Sequence, residues 1–356
     1  MLKILFLGEN WYGSCARACC FALRRQGHDV TDIDQQTVFP QLRRKASRAA
    51  LRALRPMLSV EYNELILDTA HSFQPDLLLA FKGQFLAADT LRRLRADGIA
   101  LYNYYPDTSA FAHGSMLQHS LPEYDCTFFT KEFLAEDVIK QVPLRETVYL
   151  PHGYDPEIHK PVHLDQRDRS QYQCDVGVIA TFTARKEQLL DELVSIRPKI
   201  NLRIWGNQWE KIGSRNLRPF ICGAPLNGTS YAKAIRAFRI NLAIMSGIVK
   251  GASQGDETTT RTYEIPACGG FMLHERTTEA LRLYEEGKEI ACFSTVEELA
   301  EKIDHYLAHP NERAQIAAAG HARCVPAYSY DNRMAEIVRW HEQHTASSHL
   351  TTAVAS

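Results

Sequence analysis

Arg261-Thr-Tyr-Glu-Ile-Pro-Ala-Cys-Gly-Gly-Phe-Met-Leu273 decides how the rest of the chain is read. It runs as a short helical turn, a Gly269-Gly270 break and a buried strand. Glu264 stands one turn ahead of the glycines, and Asp256 precedes it with D-x7-E spacing. A carboxylate accepts hydrogen bonds from two ribose hydroxyls, and glycine lets backbone approach phosphate oxygens. The layout therefore suits a nucleoside diphosphate. Gly269 and Gly270 also read as a helix stop before a strand, and the two readings are compatible.

Outward from this stretch, strands alternate with helices. Residues 2–8, 28–33, 75–81, 99–104 and 126–129 are apolar runs of strand length, separated by helical segments such as 14–25 and 87–96. Prolines and polar residues interrupt the pattern after Leu150. It restarts at 175–180, 202–205, 241–245, 270–273 and 290–293, with helices at 296–307 and 312–324. Continuous apolar strands between helices make parallel sheets covered on both faces. The expected organisation is α/β, with two Rossmann-like doubly wound domains. Residues 1–150 form the first, 151–173 a linker, 174–330 the second, 331–345 a helix returning toward the first, and 346–356 a disordered tail.

Composition bounds the function. A chain of 356 residues with 45% hydrophobic and 23% charged content is long enough for two packed domains. A net charge of −1 argues against general nucleic-acid binding. Nine cysteines without paired spacing point to a reducing cytoplasm rather than a disulfide framework. No secretory signal or membrane span is expected.

Several segments resemble one family. The 261–273 stretch is similar to the sugar-nucleotide signature of GT-B glycosyltransferases (C-terminal domain of the glycosyl transferases group 1 type), most closely the CgeB-like, spore maturation protein branch. Leu150-Pro-His-Gly-Tyr-Asp-Pro156 resembles the family's linker. Asn103-Tyr-Tyr-Pro-Asp107 and Tyr124-Asp-Cys-Thr-Phe-Phe-Thr-Lys131 resemble CgeB-like patterns in the first domain. The resemblance implies a GT-B fold, two Rossmann-like domains facing each other across a cleft. It implies a nucleotide-diphosphate sugar as donor, on the second domain, and a glycan, lipid-linked or other hydroxyl acceptor on the first.

Site residues follow from that resemblance. In Val176-Gly-Val-Ile-Ala-Thr-Phe-Thr-Ala-Arg185-Lys186, a strand leads through a polar loop into a helix. Arg185 and Lys186 at that helix N-terminus are expected to hold the leaving diphosphate, Arg185 as a catalytic group. Glu264 is expected on the ribose, and Asp256 matches the first acid of the family's E-x7-E pattern, with Glu257 as an adjacent competitor. Gly206 and Asn207 end a strand near the base or ribose, Arg261 faces the diphosphate, and Gly269 and Gly270 complete the donor set. On the acceptor side stand Trp11, Tyr12 and Gly13, in a flexible loop, and Lys82 after a strand. Asp107 and His113 are the candidate bases, a histidine having the right intrinsic pKa for a hydroxyl proton.

Other motifs are set aside. Asp32-Ile-Asp34 mimics a manganese-binding D-x-D but ends a second strand, and no metal or cofactor is expected. His341 with His344, and His321 with Cys324, lack further metal ligands nearby. Cys15, Cys19 and Cys20 share a helix that packs on the sheet. Gly8 to Gly13 is not a G-x-G-x-x-G fingerprint, so a nicotinamide oxidoreductase is a distant alternative. Nearer alternatives are a GT-B sugar-nucleotide epimerase and a non-catalytic nucleotide-sugar-binding protein. Arg44, Arg48, Arg52 and Arg55 recur at helical spacing beside Leu51, Leu54 and Leu58. This 42–58 helix offers peripheral contact with anionic membrane at its inner face, or is an ordinary solvated surface helix.

Overall fold

The computed structural model describes residues 1–40 and 45–354, with side chains omitted at 45–48, 113 and 346–354. The chain divides into two compact units: Met1–His152, Val249–Gln254 and Tyr330–Ser356 form the first, Gly153–Ile248 and Gly255–Ser329 the second.

The first unit is built on β1 (Lys3–Gly8), β2 (Asp29–Asp34), β3 (Leu77–Phe81), β4 (Ala100–Tyr105), β5 (Cys126–Phe129) and β6 (Thr147–Tyr149). All pairings are parallel, in the order β2-β1-β3-β4-β5-β6. β3, β4 and β5 are buried almost throughout, as strands covered on both faces must be. One face packs on Ile66, Leu91 and Leu134, and the other on Ala16, Cys19, Cys20 and Met334. The cysteine-bearing helix, Cys15–Arg25, thus packs on the sheet as its sequence implied. The final helix, Tyr330–Val354, runs past the 331–345 expected and belongs to this unit. Tyr102 Oη lies 2.8 Å from His341 Nδ1, and Arg25 pairs with Asp331 at 2.5 Å.

The second unit carries β7 (Cys174–Ile179), β8 (Leu202–Trp205), β9 (Ile221–Gly223), β10 (Phe238–Ala243), β11 (Met272–Glu275) and β12 (Ala291–Phe293). These are also all parallel, in the order β12-β11-β10-β7-β8-β9. Residues 153–173, expected as a linker, are part of this unit. Asp165 and Asp168 form a capping box at the start of the helix Gln166–Tyr172.

Both strand orders reverse direction once, between β1 and β3 and between β10 and β7. At such a reversal the connections leave to opposite faces, opening a crevice at the carboxyl ends of the strands. The loops at these two crevices carry Arg185, Lys186 and Asn207 in the second unit and Trp11, Lys82 and Asp107 in the first. Within the second sheet Gly177 in β7 lies against Phe238 at the start of β10, where a Cβ would stand 2.0 Å from Phe238 Cδ2. Gly177→Ala should cost about 1–3 kcal/mol of stability through overpacking, measured by urea unfolding. Phe238→Ala in the same chain should recover part of that loss; simple additivity of the two would refute the packing argument.

Candidate functional site

The second crevice is assembled from the loops after β7, β8, β10 and β11. After β7, Thr183 caps the helix Ala184–Ile196 by accepting from Lys186 N. That cap fixes Arg185 and Lys186 in the first turn, where the helix end carries partial positive charge. Lys186 is only 2% exposed, and its Nζ donates to Ser246 Oγ at 2.9 Å. Ser246 follows β10, so this hydrogen bond spans the point where strand order reverses. Burial, then the charges of Arg261 and Arg185, pull the Lys186 pKa down to about 8, while Asp256 and Glu275 oppose them.

Arg185 is held differently. Its Nη1 donates to Met245 O at 3.0 Å and to Glu275 Oε2 at 3.0 Å, and its Nη2 donates to Glu275 Oε1. This fork-to-fork pair raises the arginine pKa above its ordinary value. Glu275 also accepts from Met245 N at 2.9 Å. Nothing in the sequence singled out Glu275 or Ser246, which lie 90 and 60 positions from their partners.

Arg261 lies in the first turn of the helix Thr260–Ala267, its Nη2 donating to Ile244 O at 3.0 Å. Asp256 is half-buried, with its backbone N bonded to Ser246 O at 3.0 Å. Its rival Glu257 faces another task, its Oε2 accepting from Glu279 N at 2.8 Å in the first turn of the helix Thr278–Leu283. Asp256 is therefore the acid of the pair whose charge reaches Lys186.

Glu264 is buried to 9% exposure. Its Oε2 accepts from Tyr231 Oη at 2.7 Å, and its Oε1 faces His159 Nε2 at 3.8 Å. His159 Nδ1 accepts from Asp155 N at 3.0 Å, which leaves the ring proton on Nε2, toward the carboxylate. Tyr231 and His159 thus orient Glu264, and neither carried a recognisable sequence signal.

Gly206 and Asn207 follow β8. Gly206 adopts φ +151°, and a Cβ there would collide with the carbonyl of Ala180. Glycine is thus required where the loops after β7 and β8 run together, joined by Phe182 N to Asn207 O at 2.9 Å. Beside them lies a cavity of about 420 Å³ lined by Gly206, Trp209, Glu210 and Arg218.

Gly269 and Gly270 depart from the phosphate-binding expectation. Gly269 has φ +70° and its N bonds to Pro266 O at 2.8 Å, ending the helix. A Cβ on Gly270 would lie 2.6 Å from Ile235 Cγ2. Both precede β11, at the amino edge of the sheet, whereas Arg185 and Lys186 lie at its carboxyl edge. The helix-stop reading is the one their surroundings fit.

In the first unit, Trp11, Tyr12 and Gly13 follow β1, Lys82 follows β3 and Asp107 follows β4, all at one carboxyl edge. The Gly8–Gly13 loop, expected to be flexible, is cross-braced. Trp11 Nε1 donates to Glu9 Oε2 at 2.9 Å, Asn10 Nδ2 to Asp32 Oδ2 at 2.9 Å and Ser14 Oγ to Glu9 O at 2.7 Å. Asp34 accepts from Asn10 N at 3.2 Å and caps a helix turn through Gln36 N at 2.9 Å, so it orders backbone, while Asp32 holds the side chains of Asn10 and Arg24. Lys82 Nζ pairs with Asp107 Oδ2 at 2.6 Å, and Lys82 itself sits at φ +71°. A non-glycine residue held in that region stores strain, a frequent mark of functional positions. The side chain of His113 lies outside the described residues.

The comparisons with known proteins agree with this geometry. A family described as glycosyl transferase-like matches residues 185–339. Spore protein CgeB of Bacillus subtilis is 22% identical over 284 residues, covering 76% of this chain and 84% of that protein. Among solved structures, sucrose-phosphate synthase from Thermosynechococcus elongatus superposes with a TM-score of 0.69 at 13% identity, covering 98% of this chain and 100% of that one. Anabaena HepE in complex with UDP-glucose superposes at 0.65 and 14% identity, covering 96% and 100%. The chain has a GT-B fold. It is glycosyltransferase-like and distantly related to CgeB.

The lowered Lys186 pKa sets a pH signature. A bound diphosphate favours the ammonium form and so raises that pKa, which means binding takes up a proton wherever the free protein has lost it. If the crevice takes a diphosphate, affinity for one, probed with UDP, should be steady just below about pH 8 and fall as pH rises above it, approaching tenfold per unit. Titration calorimetry in buffers of different ionisation heat reads this directly. A pH-independent affinity, or the same slope in Lys186→Met, would remove Lys186 from the diphosphate.

Proposed function

We propose that this protein is a glycosyltransferase that moves a sugar from a nucleoside-diphosphate sugar to an acceptor hydroxyl, in the synthesis or modification of a glycan, glycolipid or polysaccharide. The observation that carries the reading is the convergence of Arg185, buried Lys186 and Arg261 at the reversal of strand order, with Glu264 oriented behind them.

The reaction breaks a bond between a sugar carbon and a diphosphate oxygen, so negative charge grows on the leaving group. Cations already in place stabilise that charge more in the transition state than in the bound substrate, which accelerates the step. Lys186 and Arg261 supply point charges, the helix Ala184–Ile196 its positive end, and Arg185 a planar fork that Glu275 holds ready. On this reading the side-chain cations meet the electrostatic demand without a required metal ion. The Glu264 carboxylate takes the ribose hydroxyls, Asp256 lies toward the donor sugar, and the base enters the cavity beside Gly206 and Asn207.

In the first unit, Asp107 is the proposed base for the acceptor hydroxyl, its position set by Lys82, with His113 as the second candidate and Trp11, Tyr12 and Gly13 flanking the acceptor. Among the described residues no helix is long and apolar enough to cross a membrane. A cytoplasmic protein with peripheral membrane contact is the matching proposal for location. The helix Lys45–Phe73 exposes Leu54, Met57 and Val60 beside Arg52 and Arg55, while the side chains of Arg44 and Arg48 lie outside the described residues. Salt-sensitive co-sedimentation with phosphatidylserine vesicles, lost in Arg52→Gln/Arg55→Gln, is the expected result; equal sedimentation with neutral vesicles would exclude it.

UDP-glucose is the first donor to test. Arg185→Ala should lower turnover by about a hundredfold or more with the protein still folded. Glu264→Gln, which retains an acceptor for Tyr231, should weaken UDP binding by about tenfold. Activity should survive EDTA. Product formed without acceptor would identify an epimerase instead, and donor binding with neither transfer nor hydrolysis a non-catalytic binder.

A further inference from the structure

The amino edge of the second sheet holds a feature that the proposed reaction does not use. A cavity of about 280 Å³ lies at the starts of β7, β10 and β11, lined by Arg169, Arg236, Arg239, Arg313, Gly269 and Pro310 among others. Four arginines line this open depression, Arg169, Arg236 and Arg239 solvent-exposed and Arg313 half-buried. Among the described residues the single carboxylate paired with any of them is Asp175, 2.9 Å from Arg239. Arg236 Nη1 donates to Gly269 O at 2.7 Å and Arg313 Nη1 to Tyr306 O, so two forks are anchored by backbone carbonyls, which carry no net charge. The side chain of Arg169 makes no hydrogen bond or ion pair among the described residues.

The wall at Pro310 is the first turn of the helix Pro310–Cys324, which adds the positive end of a fifteen-residue helix. Burial, and then the nearby Arg239, hold the Arg313 pKa below the ordinary guanidinium value, with Asp175 opposing. Like charges are thus crowded with incomplete compensation. Each guanidinium has five N–H donors, and the anchoring bonds leave most of them for a ligand.

This cavity is separate from the proposed donor site. β7 spans Cys174–Ile179, and at about 3.3 Å per residue its two ends lie roughly 16 Å apart. Arg185 and Lys186 follow its carboxyl end; Gln173, just before its amino end, lines the cavity. The volume is at the lower limit for small-molecule pockets, too small for a nucleotide sugar and adequate for one compact anion.

We propose that this arginine-lined cavity binds a small phosphorylated anion, either inorganic phosphate or pyrophosphate, or the phosphate of a sugar monophosphate. Planar forks grip phosphate oxygens in pairs, and four of them match a multiply charged group better than a carboxylate.

The test uses the full chain and three probes at matched ionic strength: inorganic phosphate, pyrophosphate and glucose 6-phosphate, with sodium chloride as the reference. Calorimetry and thermal shift are run on the wild type, on Arg169→Gln/Arg239→Gln and on Lys186→Met. Saturable binding of at least one probe is expected in the wild type and in Lys186→Met. In the arginine double variant it should weaken by at least about tenfold while UDP binding and the circular dichroism spectrum are unchanged. Preference for glucose 6-phosphate over the inorganic probes would assign the site to a sugar phosphate, and the reverse to the free anion. Binding lost in Lys186→Met and kept in the double variant would place the anion at the donor site and overturn the inference. So would the absence of saturable binding by all three probes.

Discussion

An ammonium group removed from water is costly unless its hydrogen bonds and its charge are both answered, and Lys186 meets that constraint only in part. One hydroxyl, Ser246 Oγ, is its hydrogen-bond partner, the charges of Arg261 and Arg185 act against it, and those of Asp256 and Glu275 offset them in part. The result is a lysine that stays charged at neutral pH but gives up its proton above about pH 8, well below an ordinary lysine. The fold makes this tolerable by placing it at the reversal of strand order, where no connection covers the sheet edge. A diphosphate bound there would answer the charge that the protein leaves unanswered. Thr183 capping, the Ser246 turn and the position of Asp256 all follow from holding one charged chain end at that spot.

Arg185 shows the complementary arrangement. It is satisfied in the absence of ligand, since Glu275 and Met245 O occupy three of its donor directions. A free arginine on a surface turn would lose rotamer entropy on gripping a phosphate. Here Glu275 has already removed that freedom, and the remaining N–H groups of the fork are fixed in direction. The carboxylate has its own cost, because its charge opposes an incoming anion. It also shields Lys186 from the repulsion of Arg185, so removing it would not simply strengthen binding.

Local pattern made the alternation of strands and helices readable from the sequence, because central strands such as β1, β3 and β5 are largely apolar runs and helices such as Cys15–Arg25 and Ala184–Ile196 begin at a side-chain cap. Arg185 and Lys186 were readable for the same reason: they belong to one short strand–loop–helix. Glu275, Ser246, Tyr231 and His159 were not, since each acts on a residue that is distant in sequence and has no periodic signature. The Gly8–Gly13 loop looked flexible because a glycine-bounded polar stretch does not announce bonds made to Asp32 and Asp34. Gly269 and Gly270 admitted two readings from the sequence, phosphate approach and helix stop. Glycine before a strand has the same spelling whether it admits a ligand or ends a helix, and only the edge of the sheet on which it falls separates the two.

That last distinction also explains why one short stretch bears on two sites. The helix Thr260–Ala267 runs antiparallel to the strands it joins, so its two ends reach opposite edges of the sheet. Arg261 at its start contributes to the charge around Lys186, Glu264 is oriented from its middle, and Gly269 past its end gives its carbonyl to Arg236 in the arginine-lined cavity. A helix of eight residues is about 12 Å long and is packed as one rigid body. An anion that drew Arg236 away from Gly269 O would therefore act on the stop of the same helix whose first turn faces the proposed diphosphate.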